Sequence, residues 1–166
     1  MAQLRIRTAR HTSRVAAPPQ RVFQLIANVD QWPDMFGSVD AVDHLGWDGT
    51  GQRVRFRGTF GDRRGTWVSS REINTRRLQL RFRQEQSVHP FASLGGLWLV
   101  IPKGAGALVA LDHYYTVVAD DPAAARHADT MIDRRSAGLL DAVRHTAESG
   151  DLLLPARGGA EGVSPR

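Results

Sequence analysis

One predicted β-strand carries an arginine on the same face as a large aromatic residue. Side chains alternate between two faces along residues 64–73, so Trp67, Ser69 and Arg71 share one face. If that face points inward, the guanidinium of Arg71 lies in an otherwise apolar interior. A buried charge is costly unless it is paired or meets an anionic group. Arg71 is therefore either a rim arginine paired with a carboxylate or a fixed charge that stabilises an oxyanion.

A histidine occupies one face of the last predicted strand, residues 107–118. His113 shares that face with Val109, Leu111 and Tyr115. Such a histidine is either a core residue with satisfied hydrogen bonds or a group that carries protons. Its ordinary pKa of about 6.5 suits removal of a proton from an activated carbon. Arginine cannot act as a base at neutral pH, because its guanidinium stays protonated.

The hydrophobic pattern predicts the elements that position these residues. A first strand over 3–15 is followed by a helix over 18–29 and a short helix with Trp32 to Phe36. Period-two alternation then predicts further strands at 38–46, 52–60, 64–73, 77–86, around Trp98 and at 107–118. A turn is expected at 48–51, and residues 87–93 read as a loop or bulge. A long amphipathic helix runs from Asp121-Pro122 to about Glu148.

This order of elements predicts an α+β fold with two layers. A curved, seven-stranded antiparallel sheet wraps around the long C-terminal helix, and two short helices lie between strands 1 and 2. The helix covers the inner face of the sheet, which leaves a cavity between the two layers. We expect a single domain over residues 1–149, followed by a flexible, glycine-rich tail over 150–166.

Composition excludes several kinds of function. The chain has 166 residues, a net charge of +5 and no cysteine, so it has neither disulfides nor a thiol nucleophile. Its six histidines lack ligand spacing, and no phosphate loop, dinucleotide fingerprint or nucleic-acid motif is present. No signal peptide is evident, and the longest apolar run, 97–101, is too short to span a membrane. We expect a soluble cytoplasmic protein without metal, cofactor, nucleic-acid or membrane partners.

Six arginines are predicted to point outward from the sheet. They are Arg53, Arg55, Arg57, Arg77, Arg81 and Arg83. Such a basic face is either simply solvated or a docking surface for an acidic partner.

Several short motifs together resemble one known family, the aromatase/cyclases of bacterial type II polyketide synthesis. These share the helix-grip fold of the START and pollen-allergen-like superfamily. The resemblance covers about residues 8–148. The motifs are Ala17-Pro18, Trp32-Pro33-Asp34-Met35-Phe36, Trp67-Val68-Ser69-Ser70-Arg71, Pro90-Phe91 followed by Trp98, and Arg134-Arg135-Ser136 in the long helix.

The resemblance implies a cavity that accepts a poly-β-ketone tethered to an acyl carrier protein. The family closes that chain by an intramolecular aldol reaction and dehydrates the ring to an aromatic, without a cofactor. Arg71 matches the central catalytic arginine, and His113 is the second catalytic candidate. Some members of the family have a tyrosine at the position that corresponds to Val39 in this chain. Others have an inward-facing polar residue at the position that corresponds to Leu139. We expect a monomer or a weak homodimer.

The remaining predicted site residues are walls of that cavity. They are Trp32, Phe36, Phe56, Trp67, Ser69, Phe82, Phe91, Trp98, Tyr115, Met131 and Arg135. Arg135 either points into the cavity mouth or forms a helix-end salt bridge. Two other functions stay open on the same fold. One is a non-catalytic carrier of a lipid, quinone or other hydrophobic ligand, and the other is a stress-type or ribosome-associated protein with a basic surface.

Overall fold

A single antiparallel sheet of seven strands frames the protein, in a computed structural model that describes residues 3–47 and 51–149. The strands are β1 (Arg7–Val15), β2 (Val39–Trp47), β3 (Gln52–Phe60), β4 (Arg63–Asn74), β5 (Gln79–Gln84), β6 (Phe91–Lys103) and β7 (Gly106–Val117). Neighbouring strands follow the order β1-β7-β6-β5-β4-β3-β2, so β1 and β2 form opposite edges. The predicted tail at 150–166 and most of the turn at 48–51 lie outside the described residues.

Alternation along the strands decides which side chains reach the interior, as the sequence predicts. In β3, Val54 and Phe56 are buried while the arginines between them are exposed. In β4, Ser69 and Arg71 are 5% and 2% exposed. The face that carries Trp67 and Arg71 therefore points inward, and this prediction is confirmed.

Three helices cover the inner face of the sheet. The first helix, α1 (Pro19–Ala27), has a proline in its first turn and buries Val22, Phe23, Leu25 and Ile26. The four-residue α2 (Trp32–Met35) follows a 3-10 turn, and α3 (Pro122–Ser149) packs on β1, β7 and α1. The predicted α+β helix-grip architecture is confirmed. Among the described residues, no helix combines the length and hydrophobicity that crossing a bilayer requires.

Several element boundaries differ from the sequence prediction. Strand β1 begins at Arg7 rather than at residue 3, α1 ends at Ala27 rather than at residue 29, and β5 ends at Gln84 rather than at residue 86. Strand β5 begins at Gln79 rather than at residue 77, because Leu78 adopts a positive φ of 56° that ends a turn. Arg77 therefore belongs to that turn and not to the basic sheet face. Strand β6 begins already at Phe91, within the predicted loop, and a register shift between Phe91 and Ser93 accommodates the irregular sequence.

Candidate active site

An interior cavity lies between the inner face of the sheet and α3. Its volume is about 40 Å³, well below the several hundred Å³ of typical ligand sites. Nine of the predicted site residues line it: Trp32, Phe56, Trp67, Ser69, Arg71, Phe82, Trp98, His113 and Arg135. Six more residues line the cavity that were not among the predicted site residues: Phe60, Leu80, Gln84, Leu94, Leu111 and Leu139. Leu80 and Gln84 alternate with Phe82 along β5, so strand periodicity was a signal for both.

A larger groove runs along α3 just outside this cavity. It measures about 720 Å³ and lies between α3, the α2–β2 connection and the turn after β3. The predicted site residues Phe36 and Met131 line the groove rather than the cavity. Arg135 and Leu139 line both spaces. These two side chains therefore form the boundary between the open groove and the closed interior.

Two predicted wall residues pack outside the cavity. The rings of Phe91 and Tyr115 meet edge to face, with centroids 5.6 Å apart, in a smaller core cluster against the first turns of α3. The hydroxyl of Tyr115 donates to Oδ1 of Asp129 at 2.6 Å. Burial and this hydrogen bond raise the pKa of Tyr115. Neither ring lines the interior cavity, so the structure does not bring these two residues to the site.

The guanidinium of Arg71 is held by the C-terminal end of α1. Its Nη2 donates to the carbonyl of Ile26 at 2.9 Å, and its Nη1 donates to the carbonyl of Ala27 at 3.3 Å. Nη1 also donates to the side-chain oxygen of Gln52. The last carbonyls of a helix lack partners within it, so Arg71 caps α1. Its charge also lies 5.2 Å from the ring centroid of Trp32.

No described carboxylate pairs with Arg71, and its side chain is almost fully buried. The alternative of a rim arginine paired with a carboxylate is therefore wrong. Burial disfavours the charged form and lowers the pKa of Arg71 to about 9. The guanidinium still remains protonated at neutral pH. It is a fixed positive charge in the wall of the cavity.

Arg135 presents the second guanidinium of the cavity, and its surroundings differ from those of Arg71. Its Cζ lies 4.4 Å from the ring centroid of Phe60 and 5.5 Å from that of Trp67. No hydrogen bond or ion pair joins Arg135 to another described residue. The predicted alternative of a helix-end salt bridge is therefore wrong. Although part of the residue stays accessible, burial lowers the pKa of Arg135 to about 10.

His113 is enclosed on the opposite wall, on β7. It is 3% exposed, and its Nδ1 lies 3.4 Å from the hydroxyl of Ser136 on α3. Its ring also meets Phe82 edge to face. Burial, and then the nearby charge of Arg135, lower the pKa of His113 to about 3. The ordinary pKa assumed from the sequence is therefore wrong, because the imidazole is neutral and a weaker base.

Ion pairs neutralise part of the predicted basic face. Arg53 pairs with Glu85 at 2.6 Å, and Arg55 pairs with Asp43 at 3.3 Å. The hydrogen bond from Arg53 lowers the pKa of Glu85 to about 2. The other predicted strand arginines, Arg57, Arg81 and Arg83, are exposed. Over residues 3–47 and 51–149, no group of three or more metal-ligating side chains could hold an ion.

The chain is similar to two curated Streptomyces proteins over most of its length. It is 36% identical over 146 residues to the granaticin polyketide synthase bifunctional cyclase/dehydratase of Streptomyces violaceoruber. It is 35% identical over 138 residues to the actinorhodin polyketide synthase bifunctional cyclase/dehydratase of Streptomyces coelicolor. These matches cover 87% and 83% of this chain but 45% and 43% of the relatives. The chain thus spans less than half the length of these relatives.

Solved structures show the same fold. The Zhui aromatase/cyclase from Streptomyces sp. R1128 superposes with a TM-score of 0.80 at 24% identity, over 87% of this chain and 94% of that one. The di-domain aromatase/cyclase BexL from the BE-7585A biosynthetic pathway gives a TM-score of 0.76 at 35% identity, over 84% and 45%. The family described as polyketide cyclase/dehydrase and lipid transport matches residues 15–144. The chain therefore belongs to the polyketide cyclase/dehydrase and lipid transport family.

Proposed function

We propose that this protein is an aromatase/cyclase of polyketide synthesis. It binds a poly-β-ketone tethered to an acyl carrier protein, closes the chain by an aldol reaction and dehydrates the ring to an aromatic. One observation carries this proposal: the guanidiniums of Arg71 and Arg135 and the imidazole of His113 all line a single cavity with aromatic walls. The names of the relatives, polyketide synthase cyclase/dehydratases, support the same reaction class.

The main requirement of the aldol step is stabilisation of the negative charge that develops on oxygen. An enolate carbon attacks a ketone carbon, a carbon–carbon bond forms, and the ketone oxygen becomes an alkoxide. A preorganised cation in a water-poor site stabilises such an oxyanion strongly. The aromatic walls restrict the conformations of a flexible chain and so favour one ring closure. Cyclisation and dehydration are redox-neutral, so the proposed chemistry needs no redox cofactor.

His113 is the proposed proton carrier of this reaction. Its imidazole is neutral in the empty site because of its enclosure and the charge of Arg135. A negative charge that develops next to the ring raises its pKa again, and this favours proton uptake during enolate formation. The proton is then available for the alkoxide or for the hydroxyl that leaves as water.

The proposed partner is an acyl carrier protein in the cytoplasm. Such carriers are acidic, and the exposed strand arginines Arg57, Arg81 and Arg83 offer a basic surface for them. The carrier would deliver the chain to a monomer or weak homodimer of this protein. The groove beside α3, with a volume of about 720 Å³, is the proposed entry path of the flexible chain toward the cavity.

Reconstitution with a minimal polyketide synthase tests the proposal. Wild type, Arg71→Ala and His113→Ala are each added, and the products are separated by liquid chromatography with mass detection. We expect wild type to redirect shunt products to one aromatic product and both variants to lose that effect. Because Arg71 caps α1, the milder Arg71→Lys and a melting curve for each variant accompany the assay. Identical shunt products with and without wild type would overturn the proposal.

A carrier of hydrophobic molecules is the second candidate function. The family description includes lipid transport, and the cavity walls are largely aromatic and aliphatic. Tight binding of a hydrophobic ligand, together with an unchanged product pattern in the reconstituted system, would favour the carrier over the enzyme.

A further inference from the structure

The cavity contains two guanidiniums whose hydrogen-bonding capacity is used very differently. Arg71 donates to two backbone carbonyls and one side-chain amide, so three protein oxygens already hold it. The guanidinium of Arg135 lies over the faces of Phe60 and Trp67 and donates to no described residue. An aromatic face attracts a guanidinium without occupying its N–H donors. Arg135 is therefore held in place with its donors free.

The position of Arg135 puts those donors where a ligand must pass. Arg135 and Leu139 lie one turn apart on α3 and form the boundary between groove and cavity. Any chain that moves from the groove toward Trp98 and His113 runs along the guanidinium. Arg71, by contrast, lines the inner space but not the groove, and it is turned toward the end of α1.

Protein stability alone gives no reason for this arrangement. Arg135 is half-buried, and a partly desolvated charge without an anionic or hydrogen-bonded protein partner costs free energy. Exposed sites on α3 tolerate arginine easily, as Arg144 shows with its ion pairs to Asp141 and Glu148. Features that break a local stability rule are expected where function requires them. The missing partner of Arg135 is therefore expected to be a ligand oxygen.

We propose that Arg135, rather than Arg71, makes the direct contact with the substrate oxygen that becomes negative during ring closure. Arg71 is then a positioning residue, which fixes the end of α1 and the ring of Trp32 against the cavity. This inference rests on the proposed function and names which residue of that site meets the reacting atoms. The ligand chemistry that fits is a 1,3-diketone and its enolate, whose two oxygens match the two-pronged guanidinium fork.

The step balances without any further reactant. His113 takes a proton from the methylene carbon between two ketones, and the enolate charge spreads over two oxygens facing Arg135. The enolate carbon then attacks a distant ketone carbon, and the electron pair of that carbonyl moves onto its oxygen. The proton on His113 returns to this alkoxide to give a hydroxyl. In the dehydration, His113 removes the remaining proton of the attacking carbon, a carbon–carbon double bond forms as the carbon–oxygen bond breaks, and the same proton passes to the departing hydroxyl, which leaves as water.

The test compares Arg135→Met, Arg135→Lys and Arg71→Met with wild type, and Arg144→Met on the same helix is the matched control. In the reconstituted synthase we expect Arg135→Met to lose about 100-fold or more of the aromatic product. We expect Arg135→Lys to recover only part, since an ammonium lacks the fork. Arg144→Met should keep wild-type activity.

The melting temperatures of the variants distinguish a residue that contacts the substrate from one that positions other residues. Arg135→Met removes a half-buried charge that has no hydrogen-bonded or ion-pair partner among the described residues, so its melting temperature should equal or exceed that of wild type. Arg71→Met leaves two helix carbonyls without their donor, so its melting temperature should fall clearly. Nuclear magnetic resonance should also show a higher pKa for His113 in Arg135→Met, because the charge of Arg135 lowers it in wild type.

A small 1,3-diketone gives a readout that does not depend on turnover. Benzoylacetone changes its ultraviolet absorption when it ionises, so its apparent pKa can be measured with the protein present. We expect wild type to bind the enolate about tenfold more tightly than Arg135→Met does. Wild-type levels of product from Arg135→Met, or a loss of product only in step with a lower melting temperature, would overturn the inference. If wild type itself leaves the shunt products unchanged, the proposed function has failed and the inference falls with it.

Discussion

The enclosed side chain of His113 should destabilise the folded protein on acidification. Its pKa is about 3 in the folded protein, compared with 6.5 for an ordinary histidine. Below pH 6.5 the unfolded chain binds a proton that the folded protein excludes, so the free energy of unfolding decreases as the pH falls toward 3. Above pH 6.5 the imidazole is neutral in both states and contributes no slope.

The size of the effect follows from the two pKa values of His113. Each pH unit below the unfolded value removes about 1.4 kcal/mol. At pH 5, which is about 1.5 units below 6.5, the loss relative to pH 7.5 is about 2 kcal/mol. A typical domain has a free energy of unfolding of about 5–15 kcal/mol. The urea midpoint should therefore fall by roughly 1 M over this range.

Urea unfolding followed by tryptophan fluorescence measures this loss at pH 7.5, 6.5, 5.5 and 5. The informative quantity is the difference between wild type and His113→Gln, because the rest of the chain is the same in both proteins. Between pH 7.5 and pH 5, we expect the free energy of unfolding of His113→Gln to decrease by about 2 kcal/mol less than that of wild type. The exposed His127 provides the matched control, because His127→Gln leaves the enclosed imidazole of His113 in place. Equal slopes for wild type and His113→Gln would refute the assignment of a desolvated imidazole.

Two further substitutions test the packing that surrounds the site. A Cβ on Gly58 would lie 2.0 Å from the carbonyl oxygen of Ser38, so Gly58→Ala should lower the free energy of unfolding by about 1–3 kcal/mol. A Cβ on Gly65 meets nothing within 4 Å, and chemical denaturation of Gly65→Ala should show no loss. Tyr115→Phe removes the donor to Asp129 and should lower the free energy of unfolding by about 1–2 kcal/mol, with little change in product formation because the ring lies outside the cavity. An unaltered melting curve for Tyr115→Phe would contradict the contribution of that hydrogen bond.

Local patterns predicted the sheet and the direction of most side chains. Period-two alternation alone put Trp67, Ser69 and Arg71 on one face, and the structure shows that this face points inward. The partners of Arg71 could not be predicted in the same way. They are backbone carbonyls of α1, more than forty positions earlier in the chain. Every residue has a backbone carbonyl, so the residue types do not indicate which one accepts a hydrogen bond.

The lack of an ion pair between Arg135 and its neighbours on the helix was partly predictable from the sequence. The residues one helical turn before and after it, Met131 and Leu139, are apolar, which already disfavours an ion pair along the helix. The pKa of His113 was not predictable, because it depends on enclosure by residues of β5 and α3 together. Desolvation is a property of the assembled layers, and no single segment encodes it.

The order of strands in the sheet has a consequence for how the chain folds. Strand β1 is hydrogen-bonded to β7, with Arg7 opposite Tyr115, whereas the next strand in sequence, β2, lies at the far edge. Contacts between such distant segments slow folding, because a long loop must close before the contact forms. On the ribosome, β1 therefore waits without a partner until β7 has been synthesised. The first strand to be made is the last to be paired, and until then its free edge is exposed to aggregation and to chaperones.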